Sequence, residues 1–121
     1  MPTPLITSRS PSFGRAQAHL ADPEAARVAE LIGVASRLVE LEENASRLCT
    51  GRLAAHHLAR REKVAALVFD LGGAPPRSDE TRDLIEPGES VALRLGEAYA
   101  DALSDPRWTP DQRDLLWSLA G

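Results

Sequence analysis

The side chains best able to do chemistry gather in two short runs, Glu42-Glu43 and His56-His57, the second followed by Arg60-Arg61. A carboxylate and an imidazole facing each other could ligate a metal ion, whereas a carboxylate facing a guanidinium makes a charge-assisted pair. On a helical wheel Glu42 falls at the centre of the stripe Leu31, Ala35, Leu38, Val39 and Cys49, with Glu43 on its flank. His57 and Arg60 fall among Leu53, Val64, Leu67 and Leu71, with His56 and Arg61 flanking. A charge buried alone is costly, so Glu42, His57 and Arg60 are expected to meet in a shared interior, Arg60 neutralising Glu42.

Helices must position these groups. Asp22-Pro23-Glu24 supplies an N-cap, a first-turn proline and a first-turn acid, which predicts a helix from there to about Cys49, broken at Thr50-Gly51. A second helix is predicted over Arg52–Leu71, stopped by Gly72-Gly73-Ala74-Pro75-Pro76. Ser78 is expected to cap a short turn over Asp79–Ile85. A third helix then runs from Pro87 to Leu103 and buries Val91, Ala92, Leu95, Tyr99, Ala102 and Leu103, until Asp105-Pro106 ends it. Thr109-Pro110-Asp111-Gln112 reads as a capping box opening a last helix with Leu115, Leu116 and Leu119 inward. Residues 1–21, rich in proline and hydroxyl side chains, are expected to form a mobile arm with at most a turn over Phe13–Leu20. Residues 22–121 form the bundle domain.

Composition agrees with one all-α domain. The chain has 121 residues, 43% apolar and 26% charged, which argues against disorder and against a membrane span. Ala, Leu, Glu and Arg dominate, the residues that lose least on entering a helix. Net charge is −4, with ten acids against five bases after residue 71, so a basic stripe for nucleic acid is missing. Cys49 has no internal disulfide partner, and Met1-Pro2-Thr3-Pro4 lacks the basic lead into an apolar run that export would need; a cytoplasmic setting follows. There is no Gly-rich phosphate loop and no Ser/His/Asp arrangement, and no small-molecule substrate is implied. Cys49 is expected to be a small core residue. Asn44-Ala45-Ser46 matches a glycosylation triplet but lies in mid-helix; Trp117 lies off the Leu115/Leu119 stripe and Trp108 precedes the last cap, and each is expected to be a surface residue or a contact with the arm or a partner.

The Glu-bearing first helix, the His-bearing second helix, the Leu71-Gly72-Gly73-Ala74-Pro75-Pro76 stop, and Gly88-Glu89 leading to Tyr99-Ala100-Asp101-Ala102-Leu103 together resemble the ferritin-like helical bundles. The likeness covers about residues 24–120 and is greatest to small bacterial domains of that superfamily. It implies an antiparallel four-helix bundle. Di-iron members carry a Glu on the first helix and Glu-x-x-His on the second, repeated on the second pair. Counted back from the Gly72-Gly73 stop, Glu-x-x-His falls on His57 and Arg60, so Glu42 alone matches and the motif is degenerate. The resemblance therefore implies no cofactor, Arg60 taking over the charge balance; the alternative is a reduced iron site from Glu42, His57, Glu89 and His56, with oxidase-like activity.

Leu58, Ala65 and Phe69 form a second apolar stripe on the helix that carries His57, nearly opposite the first. A surface helix needs only one such face. The expectation is burial against a second copy of the chain or against residues 1–20. The function so implied is that of a non-catalytic interaction or structural protein that dimerises.

Overall fold

The computed structural model describes residues 22–77, 84–86 and 88–120, and all the regular structure in them is helical. Four helices follow in order: α1 (Pro23–Leu48), α2 (Gly51–Asp70), α3 (Val91–Leu103) and α4 (Pro110–Ala120). None is long and apolar enough to cross a membrane. The arm and turn expected within residues 1–21, and most of the turn expected after Ser78, lie outside the described residues. Two compact units divide the chain between Glu30 and Leu31.

In the first unit the start of α1 is capped as its sequence predicts. Asp22 Oδ1 accepts from the Glu24 N–H at 3.0 Å, and Arg27 pairs with Glu24 at 2.6 Å one turn on. That pairing holds the Glu24 carboxyl below its ordinary range.

The second unit holds the core. Leu31, Ala35, Leu38, Val39, Leu41 and Ala45 of α1 are buried with Val64, Leu67 and Val68 of α2, Leu95, Tyr99 and Ala102 of α3, and Leu116 and Leu119 of α4. From Leu41 to Ser46 every residue of α1 is buried, so this stretch is covered on all sides instead of showing one wet face. α2 ends in a doubly bonded glycine stop. Gly72 N–H donates to Phe69 C=O and Gly73 N–H to Val68 C=O, both at 2.9 Å, with Gly72 at φ +93°. Gly73 also packs beneath Ile32, where an added Cβ would lie 2.8 Å from Ile32 Cγ2.

The third helix starts later than the sequence predicts. Gly88 takes φ +95° in a turn closed by Glu89 N–H to Glu86 C=O at 3.0 Å, and the Glu89 side chain accepts from Glu86 N–H at 2.7 Å. The chain is thus committed to a turn where a helix from Pro87 was expected, and Ser90 caps α3 by accepting from Leu93 N–H. Ala92 is exposed, not buried.

Two further core expectations fail at element ends. Leu53, in the first turn of α2, is 60% exposed, and Cys49 in the two-residue connection is only half-buried. Both lie on the core-facing side of the wheel, but at the end of the helix pair beside the Cys49-Thr50 connection.

Between α3 and α4 the chain is fixed by side chains bonding backbone. Trp108 is buried, its indole N–H donating to Ala102 C=O at 2.7 Å. Arg113 donates to Leu103 C=O and Asp105 C=O. Thr109 and Gln112 make the reciprocal capping box. Arg107 hydrogen bonds hold the Asp105 carboxyl down to about 2. Trp117 is exposed.

The glycine stop makes a contrast that can be measured. Gly73→Ala should lower unfolding free energy by about 1–3 kcal/mol, because the methyl meets a β-branched methyl group that cannot swing away. Gly33→Ala, in mid-helix with nothing within 4 Å of its new Cβ, should instead raise stability by about 0.4–1 kcal/mol. Urea denaturation followed by circular dichroism checks both; equal effects would refute the close approach at Gly73.

Candidate functional site

Three side chains from two helices converge on the Glu42 carboxylate, which is completely buried. Oε1 lies 2.8 Å from His57 Nδ1. Oε2 accepts from Arg60 Nε at 2.9 Å and from the Tyr99 hydroxyl at 2.6 Å. The Arg60 guanidinium carbon sits 5.2 Å from the centre of the Tyr99 ring, so the same cation serves the carboxylate and the aromatic face.

The helices bring this about by register. His57 and Arg60 are three residues apart on α2, hence on one face, and Glu42 lies opposite them near the turn that joins α1 to α2. Tyr99 enters from α3 on its Leu95 and Ala102 side. With hydrogen on Nδ1, His57 donates to Glu42. Burial above all, then the Glu42 charge and the hydrogen bond to it, pushes the Tyr99 hydroxyl far above its ordinary pKa, so it acts as a fixed donor.

A second layer surrounds this centre. Glu43 Oε1 pairs with Arg61 Nε at 2.7 Å, and Arg61 also reaches Glu62 at 2.8 Å and the Pro76 carbonyl at 3.3 Å. Asn44 Oδ1 accepts from the backbone N–H groups of Leu84 and Ile85, tying α1 to a segment with no regular structure. Ser46 donates to Glu43 C=O at 2.7 Å. These bonds let a helix carrying Glu, Glu, Asn and Ser be buried all round.

Among the expected site residues, Glu42, His57 and Arg60 come together; the reduced iron set does not. His56 is exposed, its ring edge-on to His57 at 5.3 Å between centres, and Glu89 is exposed and bonded to Glu86 N–H. Among the described residues no three His, Cys, Asp or Glu side chains converge on a point suited to a metal ion. Arg60 also lies against the carboxylate that a cation would have to approach, so the donor set does not fit iron. Of the second stripe, Leu58 and Phe69 are 45% and 65% exposed, whereas Ala65 is buried within the chain and offers nothing to a partner.

Sequence reasoning missed Tyr99 and Asn44 as members of the site. A phenol on a buried stripe needs a hydrogen-bond partner, and that requirement was a usable signal for Tyr99. Asn44 carries no such signal, because its partners are backbone groups about 40 residues away.

Comparison of the chain with family models, with curated proteins and with solved structures found no match.

The network predicts a graded mutant series. Glu42→Leu and Arg60→Leu should each cost about 3–5 kcal/mol, since each strands a buried partner. The double substitution should recover part of that loss. Adding Tyr99→Phe should recover more, because the phenol otherwise keeps a buried, unpaired hydroxyl. Chemical denaturation of the four variants measures the series; harmless single substitutions would contradict it.

Proposed function

We propose that the chain is a non-catalytic protein, an antiparallel four-helix bundle of ferritin-like layout that works in the cytoplasm by association, in the first place with itself. The observation that carries this reading is the closed centre. Glu42 is a carboxylate with about four lone-pair directions, of which three face His57, Arg60 and Tyr99. Its compensating charge is the Arg60 guanidinium, which lies against the carboxylate where a metal ion would have to approach. Glu42, the one residue that matches the di-iron motif, here joins α1 to α2 and α3.

Two large apolar side chains of α2 face outward. Leu58 and Phe69 lie on one side of α2, away from the core residues Val64, Leu67 and Val68. A single exposed leucine means little, but two large side chains on one face of a helix whose opposite face is already buried favour an interface. The antiparallel layout is favoured by pairings that run from Glu42 with His57 near the α1–α2 turn to Ile32 with Gly73 at the far end of α2.

Size exclusion coupled to light scattering tests the reading. The chain should show a mass near twice 13.1 kDa at high concentration, and Phe69→Ser should shift it toward the monomer without loss of helicity. A strict monomer at every concentration, with Phe69→Ser as soluble as the parent, would contradict self-association.

A further inference from the structure

We draw no further inference here: the strongest candidate, the exposed Leu58 and Phe69 side of α2, belongs to the self-association already proposed, and nothing in the structure shows what covers it.

Discussion

Burying one carboxylate sets the terms for this protein. Glu42 is wholly removed from water, and an ion so placed is tolerated only if other groups replace its hydration shell and balance its charge. No single helix can supply that shell. α2 provides a cation and an imidazole, and α3 provides a hydroxyl that stays protonated, so α1, α2 and α3 are held by a common acceptor. Apolar packing brings these helices together and tolerates small slips; the carboxylate does not, since a shift of one residue in α2 would turn Arg60 and His57 out of reach.

The same logic extends along α1. Because Glu42 draws α2 and α3 to one side, the neighbouring Glu43, Asn44 and Ser46 are covered as well, and each is given an internal bond to Arg61, to the Leu84–Ile85 backbone or to its own helix. A buried pair of this kind adds little net stability compared with apolar residues of similar volume. Its effect here is on arrangement: it selects one register of α1 against α2 and anchors a segment that has no regular structure of its own.

Much of this is legible in the residues, and the gaps have physical causes. Helix positions follow from caps and stops, because Asp22, Thr109 with Gln112, and Gly72-Gly73 act on the backbone within one turn of themselves. The meeting of Glu42 with His57 and Arg60 can be expected for a different reason: charges on apolar stripes must find one another. A wheel, however, gives the direction of a side chain and not what stands opposite it. Leu53 points inward past the end of the core and stays wet, while Ala65, on the far side of α2, is covered. The fourth member of the centre, Tyr99, lies in a stripe that reads as simply apolar. Asn44 is beyond reach of any local rule, since its partners are backbone groups of Leu84 and Ile85 in a stretch without periodicity.

Tyr99 is the only tyrosine in the chain, which makes the buried centre directly observable. Its phenolate absorbs in the near ultraviolet, so an alkaline titration followed in parallel by circular dichroism reports on this one hydroxyl. Burial and the adjacent Glu42 charge raise its pKa in the folded protein, so the folded state keeps a proton that the unfolded chain would release. Stability must therefore fall as pH rises past the ordinary phenol value of about 10. The account predicts that no phenolate appears while the helical signal is intact, and that both change together when the protein unfolds at high pH. Phenolate appearing near pH ~10 with the helices unchanged would contradict it, for the Tyr99 hydroxyl would then not be held against a buried charge.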